Sequence, residues 1–355
     1  MGCAADRLLS VFDLTRWPRW QRRSAPRSNP PDIVPSAATA TGLEPSTSVP
    51  QDPAPDENTG GCLDQVIRTL PHFLSLDELA SIDRIRLEAM CRAQAQPLYL
   101  GDHVAVCRAL SRYKLFLDTR DRGFAAHVLL DGYWEMWLTR FLCRRIQSGM
   151  VVADVGANFG YYTLLLADLV GPDGHAFAIE PNPVVVTLLR QSILVNGFGT
   201  RTSIAAAAAG AEAGPEALLY SPHGEFKNAR IVGSPDQVDS DQGTLHNVRQ
   251  VRIDDLIASK RRLDFLKIDA EGSEETIIDG MYQCIHDYRP SFVLEFNAQR
   301  CKRPTELLQQ LISIYQSVCY LDFDSELVPI TETELLSRQV GEDWLLFFDR
   351  STANR

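Results

Sequence analysis

From Met150 onward, short apolar runs alternate with segments of helical spacing, and this alternation constrains the fold of the 355-residue chain more than any other feature. Residues 151–155 read as a buried strand, 161–170 as a helix and 176–179 as a second strand. Pro183 then opens a helix to about Val195, which Asn196-Gly197 stops. Residues 203–208 read as a weak third strand, and 263–268 and 292–296 as further strands with a helix from Ser273 between them. A helix over 306–316 and a strand over 344–348 follow. Strands without polar alternation are buried on both faces. The pattern therefore predicts an α/β fold with a mostly parallel sheet flanked by helices, and no internal repeat interrupts it.

Ahead of this core, residues 76–93 carry apolar side chains at helical spacing, 113–117 alternate as a strand, and 134–146 read as a helix ending before Gly149. Residues 61–148 thus form an N-terminal lead-in or cap of helix and strand, and 149–355 the core domain. Residues 1–60 hold nine of the 20 prolines and many Ser, Thr and Ala, and are expected to be a disordered tail and linker. Six arginines against two acids, with Trp17 and Trp20, occupy residues 1–27. The plain reading of such a segment is a solvated tail; its alternative is peripheral contact with an anionic membrane surface.

Composition removes several classes of function. With 45% hydrophobic and 23% charged residues, the chain has material for a sizeable core. Its formal charge of −11 argues against nucleic-acid binding. The eight cysteines are scattered with no C-x-x-C pair, which fits free thiols better than disulfides or zinc. No run approaches the ~18 apolar residues of a membrane span. No signal-peptide pattern is present, and Asp6 replaces the Ser or Thr of a myristoylation signal. A cytoplasmic protein is expected, with residues 1–27 as its only membrane-facing candidate.

Three motifs carry the chemistry. The first is Asp154-Val155-Gly156-Ala157-Asn158-Phe159-Gly160-Tyr161, between a buried strand and a helix. Its glycines permit a tight turn close to a ligand, and the following helix N-terminus is expected to offer free N–H groups. Asn158 stands where a dinucleotide fingerprint has its middle glycine, which narrows the room for a pyrophosphate, and Asp154 favours a cationic amine or sulfonium. The second is Glu180, about 20 residues beyond the loop at a strand end, where a carboxylate reads a ribose diol. The third is Lys267-Ile268-Asp269-Ala270-Glu271-Gly272, which delivers two acids to the carboxyl edge of the sheet. Asp269 could take a proton or hold a metal; Glu271 could do the same or cap the next helix; Lys267 could neutralise both. Glu295, inside an apolar strand, needs either Lys267 or the same pocket as its partner. The loop 221–230, with His223, Lys227, Asn228 and Arg230, is a candidate cover for the acceptor.

Taken in order, Asp154–Thr163, Glu180-Pro181-Asn182-Pro183, Asn196-Gly197, Lys267–Glu274 and Leu294-Glu295-Phe296 resemble the FkbM family of S-adenosylmethionine-dependent methyltransferases. Gly132-Tyr133-Trp134-Glu135 extends the resemblance upstream, so that it covers about residues 112–300. The resemblance implies a class I, Rossmann-like methyltransferase with a seven-stranded sheet, mostly parallel, and one antiparallel strand late in the chain. It implies S-adenosylmethionine as cofactor, with Asp154, Gly156, Ala157, Asn158, Gly160 and Tyr161 around its methionine part. Glu180, Pro181 and Asn182 would lie at the ribose, and Ala207 and Ala208 by the adenine. It further implies Asp269 and Glu271 facing the methyl group, and O-methylation of a sugar, polysaccharide or natural product, a small-molecule or glycan acceptor. Substrate contacts are expected from His223, Lys227, Asn228 and Glu295.

Methyl transfer from a sulfonium is an in-line displacement that depends chiefly on alignment. Asp269 is the expected base; a divalent cation such as Mg²⁺ held by Asp269, Glu295 or Asn297 is the alternative. Two rival readings remain at this level: a nicotinamide-dependent oxidoreductase on a similar sheet, and a non-catalytic module anchoring a glycan-assembly complex.

Overall fold

The computed structural model describes residues 72–338 and 341–350. The tail and linker expected over 1–60, with the membrane-facing segment 1–27, lie outside the described residues. The apolar spacing over 76–93 resolves into two helices rather than one, α1 (Leu76–Ser81) and α2 (Arg84–Gln94). Ile82 turns extended, and Asp83 caps the second helix by accepting from the Arg86 amide at 2.9 Å. Three antiparallel strands follow, β1 (Leu98–Gly101), β2 (Val104–Ala109) and β3 (Tyr113–Asp118), then α3 (Phe124–Asp131) and α4 (Met136–Arg145).

The core runs β4 (Val151–Val155), α5 (Tyr161–Leu169), β5 (His175–Ile179), α6 (Pro183–Val195) and β6 (Thr202–Ala205). A separate small sheet intervenes, β7 (Ala208–Ala209), β8 (Gly214–Pro222), β9 (Arg230–Val232) and β10 (Gly243–Val251), in the order β7-β10-β8-β9. The core resumes with α7 (Ile253–Ile257), β11 (Phe265–Ile268), α8 (Glu274–Asp279), α9 (Tyr282–Asp287) and β12 (Ser291–Phe296). It ends with α10 (Pro304–Tyr315), β13 (Cys319–Leu321), β14 (Leu327–Pro329), α11 (Glu332–Ser337) and β15 (Trp344–Phe348). The large sheet is ordered β14-β13-β15-β12-β11-β4-β5-β6. Strands β6 through β12 in that order are mutually parallel, and β15 is antiparallel to both its neighbours.

This is the class I methyltransferase arrangement with one strand more than expected, because β14 turns back from β13 and extends the edge. The run expected as one strand over 203–208 divides between two sheets. β6 pairs with β5, whereas Ala208 and Ala209 pair with β10.

Period-two alternation assigns side chains to the two faces. Val152, Phe265, Val293 and Phe347 face α4, α5 and α6, and the lead-in helices continue that same core. Val151, Ala153, Val155, Leu266, Ile268 and Leu294 face α8, α9 and α10. The lead-in sheet is tied down by α6: Ser192 Oγ accepts from the Phe116 amide at 3.0 Å, and Asn196 bonds both backbone groups of Lys114. The direction of strand succession reverses between β4 and β11. The carboxyl ends of β4, β5, β11 and β12 therefore surround the crevice where such sheets bind ligands. No helix among the described residues is long and apolar enough to cross a membrane.

Candidate active site

The turn from β4 into α5 is closed on itself. The Gly156 and Ala157 amides both donate to the Ile179 carbonyl at 3.0 Å, and that of Asn158 to Glu180 Oε2 at 2.9 Å. The Phe159 amide donates to Asn158 Oδ1 at 2.9 Å, and that of Gly160 to the Ala157 carbonyl at 2.9 Å. Each amide from Gly156 to Gly160 is thus committed within the protein, ahead of the helix N-terminus at Tyr161 where free N–H groups are expected. The loop can accept hydrogen bonds through carbonyl lone pairs but has no amide left in this stretch to cradle a phosphate. The glycines serve packing. At Gly156 (φ +76°) a Cβ would lie 1.8 Å from the Asp269 carbonyl oxygen, and at Gly160 (φ +97°) 2.5 Å from Leu189 Cδ1. Tyr161 turns its ring away, into the lead-in, with its hydroxyl 3.1 Å from Thr139 Oγ1.

Asp154 is 1% exposed and supports the site from beneath. Its Oδ2 accepts from Thr163 Oγ1 at 2.6 Å, while Oδ1 lacks a hydrogen-bond partner and sits 3.7 Å from Lys267 Nζ. The pairing follows from register, since Lys267 of β11 lies opposite Asp154 of β4. Lys267, 2% exposed, also bonds Asp269 Oδ2 at 3.0 Å and sits 5.2 Å from the centre of the Tyr162 ring. Burial alone would discharge this ammonium, but Asp269 and Asp154 more than offset that and hold it charged. Burial raises Asp154; at Asp269 burial is outweighed by Lys267, which keeps that carboxyl below its ordinary value. Lys267 thus neutralises Asp154 and Asp269, and Glu295 belongs to the pocket.

Asp269, Glu271 and Glu295 bring carboxylate oxygens within 4.8 Å of one another. Arg300, in the turn after β12, lies against them: it donates to Glu271 Oε2, to Glu295 Oε2 at 3.0 Å and to Asp343 Oδ1. Burial and then Asp269 push Glu271 up to about 7, and burial with Asp269 and Glu271 pushes Glu295 well above the carboxylate range. Glu271 (φ +50°) does not cap α8; Glu274 accepts from the Ala270 and Gly272 amides instead. Asn297 stays outside the cluster, its amide spent on the Gly341 carbonyl at 3.0 Å and Asp343 at 2.8 Å. A divalent cation would have to displace Arg300 and Lys267, so the residues present fit a cation-free cluster better than a Mg²⁺ site.

At the tip of β5, Glu180 accepts one amide on each oxygen, from Asn158 and from Asn182 at 2.8 Å, leaving a lone pair on each. Burial pushes it up to about 7 despite these bonds. Pro181 is half-buried beside it. Asn182 caps α6 through Val184 and donates to Ser221 Oγ at 3.1 Å, which ties β8 to the rim. Ala207 and Ala208 are buried after β6.

The loop 221–230 is latched to the lead-in by buried Asp121, which accepts from the Phe226 amide at 2.9 Å and the Ala125 amide at 3.0 Å. Lys227 is near enough to Glu135, Asp269 and Glu271 to favour their ionised forms, so this expected residue does reach the cluster. The other two do not. His223 is exposed, its ring 3.3 Å from Thr244 Oγ1, and Asn228 is held inside the loop by Lys227 and Glu225.

With this geometry in place, comparison with known proteins is decisive for the core. The family model described as the methyltransferase FkbM domain matches residues 154–321. These residues are an FkbM methyltransferase domain. Curated relatives match short stretches of it. The protein-L-isoaspartate O-methyltransferase of Methanothrix thermoacetophila is 38% identical over 48 residues, 14% of this chain and 23% of that protein. Its counterpart from Aeropyrum pernix is 40% identical over 52 residues, 15% and 20%. The chain therefore spans less than a quarter of the length of these relatives. Among solved structures, methyltransferase FkbM from Methylobacillus flagellatus KT is 19% identical, with a TM-score of 0.37, over 57% of this chain and 44% of that one. A precorrin-6y C5,15-methyltransferase from Geobacter metallireducens GS-15 is 14% identical, with a TM-score of 0.29, over 60% and 86%.

The FkbM domain's residues fit S-adenosylmethionine. Glu180 retains acceptor capacity for a diol, the loop Gly156–Gly160 has no uncommitted amide for a pyrophosphate, and the crevice carries more carboxylates than cations, which suits a sulfonium and an ammonium. Two residues of the crevice were not singled out as site residues from sequence. Arg300 sits in a turn with no motif. Glu135, before α4, lies upstream of the matched region, and its carboxylate accepts from Tyr162 Oη at 2.8 Å.

Proposed function

We propose that the chain transfers a methyl group from S-adenosylmethionine to a neutral hydroxyl of a sugar, glycan or natural-product acceptor. The observation carrying this reading is the convergence at one sheet edge of Glu180 on the cofactor side and the Asp269–Glu271–Glu295 group on the other. An anionic acceptor would be repelled by that group, whereas a hydroxyl can donate to it.

When bound, the cofactor supplies an electrophilic methyl carbon on a positively charged sulfur. Glu180 binds the ribose hydroxyls, and Pro181 with Ala207 and Ala208 borders the nucleoside. The loop Gly156–Gly160 accepts from the ammonium through its carbonyls. Asp154 acts at one remove, holding Lys267 in place. Asp269, kept ionised by Lys267, accepts a hydrogen bond from a hydroxyl of the acceptor next to the reacting one and so aligns the reacting oxygen for in-line attack, the alignment being worth up to roughly 7–11 kcal/mol. Arg300 fixes Glu271 and Glu295 around the same group. No divalent cation is required in this scheme.

Calorimetric titration with S-adenosylmethionine and with NADH, followed by a methyl-label assay on glycosides, glycan oligosaccharides and an isoaspartyl peptide, tests the reading. The expected result is binding of the first nucleoside only, with label on a hydroxyl and undiminished after exhaustive chelation. Binding of NADH alone, or label confined to the isoaspartyl carboxylate, refutes it.

A further inference from the structure

Asp269 is poorly suited to removing the acceptor proton, because the same Lys267 contact that keeps it charged makes it a weak base. Another carboxylate reaches this pocket from the lead-in. Glu135 occupies the position before the first turn of α4 with φ +35° and ψ 67°, a left-handed conformation that a non-glycine residue rarely keeps without cause. Its side chain does not cap its own helix. It turns instead to Tyr162, whose hydroxyl donates to Oε2 at 2.8 Å. The Tyr162 ring lies 5.2 Å from Lys267 Nζ, which bonds Asp269 at 3.0 Å. A contiguous path thus runs from Glu135 through Tyr162 and Lys267 to Asp269. Lys227 of the latched loop is near enough to Glu135 to favour its charged form as well.

Resting on the methyl-transfer reading above, we infer that Glu135 is the general base that accepts the acceptor's proton, with Tyr162 as its positioning residue. The acceptor O–H bond breaks with its proton passing to the Glu135 carboxylate. The oxygen lone pair forms the new bond to the methyl carbon, and the carbon–sulfur bonding pair stays on sulfur, which becomes neutral. The charged and titratable groups facing Glu135 are Asp269, Tyr162, Lys267 and Lys227. Burial and then Asp269 push the carboxyl up to about 7, whereas Tyr162, Lys267 and Lys227 oppose the rise. A base of that strength is matched to neutral pH.

The test uses the full chain with Glu135→Gln and Tyr162→Phe. In the cofactor-free protein labelled with ¹³C at glutamate carboxyls, Glu135, Glu180 and Glu271 should all titrate near 7, and the one of these resonances that vanishes in Glu135→Gln should titrate higher in Tyr162→Phe, which lacks the donor that favours the charged form. Calorimetric affinity for S-adenosylmethionine should stay within about threefold of the parent in Glu135→Gln. Turnover of the acceptor found by the label assay should fall about 10²–10⁴-fold, with the acid limb of its pH profile abolished. In Tyr162→Phe that limb should move to higher pH. A Glu135 carboxyl titrating at its ordinary value, or an unchanged pH profile in Glu135→Gln, overturns the assignment and leaves the methyl-transfer reading standing. Failure of the parent to bind S-adenosylmethionine overturns both.

Discussion

Replacing Lys267 by methionine should destabilise the protein more than any other single change at the sheet edge. The side chain is 2% exposed, and its ammonium stands 3.0 Å from Asp269 Oδ2 and 3.7 Å from Asp154 Oδ1. Methionine matches the stem in volume, so cavity formation contributes little. The loss comes from leaving Asp154 with only Thr163 against its buried charge and Asp269 without its cation. Breaking a buried pair in this way costs about 3–5 kcal/mol. For a domain of this size each kcal/mol lowers Tm by roughly 2–4 °C, so a fall on the order of 10 °C is expected. The sign of the pH dependence is fixed. Without Lys267 both folded-state carboxyls rise above their unfolded values, so the folded state binds the extra protons. The deficit relative to the parent is then complete above the raised pKa values and shrinks as pH falls toward the unfolded value near 4. Urea unfolding of both proteins at pH 8 and pH 5 reads this directly. Adding Asp154→Asn to Lys267→Met should restore part of the loss at pH 8. A variant as stable as the parent at pH 8, or a deficit that grows on acidification, would refute the reasoning.

Gly156→Ala should destabilise by more than the ~1 kcal/mol usual for a left-handed alanine, because its Cβ would meet the Asp269 carbonyl at 1.8 Å; thermal unfolding checks this. Glu180→Gln should weaken S-adenosylmethionine binding by roughly 10–100-fold, the equivalent of about 1.5–3 kcal/mol for hydrogen bonds to a charged group, and should also lower Tm, because the new NH2 would face one of the two backbone amides that Glu180 accepts, as calorimetry and unfolding together would show. Asp121→Ala removes the acceptor for the Phe226 and Ala125 amides, so limited proteolysis should cut the loop 221–230 faster while the core stays protected.

The main core strands and helices were legible because each is marked by burial or by a stop signal. Residues 183–195 carry Pro183 at one end and Asn196-Gly197 at the other, and the helix has those bounds. The late strand over 344–348 is apolar throughout, and it too is found as read. The lead-in sheet was legible only at β3, since β1 exposes Leu98, Tyr99 and Leu100 and so lacks an alternating pattern. The small sheet was missed for a related reason. β8 and β10 pair mainly with each other over a small core around Ala208, Leu219 and Val248, and β10, with Thr244, His246, Asn247, Arg249 and Gln250, lacks the apolar run by which a strand is recognised. At the site, the strand-end acids were visible through their motifs. Their partners were not, because Arg300 and Glu135 reach the pocket from segments that local spacing does not connect to it.

The same geometry separates two chemistries that share this sheet. A dinucleotide site needs amides at the first turn to hold a pyrophosphate, and hence a loop whose N–H groups point outward. Here Asn158 adopts φ +48° and its side chain takes the Phe159 amide, while its own amide goes to Glu180. One residue therefore closes the loop against phosphate and fixes the carboxylate that would read the ribose. Placing glycine at 158 would ease the backbone but release the Phe159 amide, so Asn158→Gly should loosen Glu180 and reduce affinity for S-adenosylmethionine without creating affinity for NADH, because the Gly156, Ala157 and Gly160 amides remain committed to Ile179 and Ala157. Measurable NADH binding by that variant would show that the side chain alone had barred the dinucleotide, and that the committed amides had not.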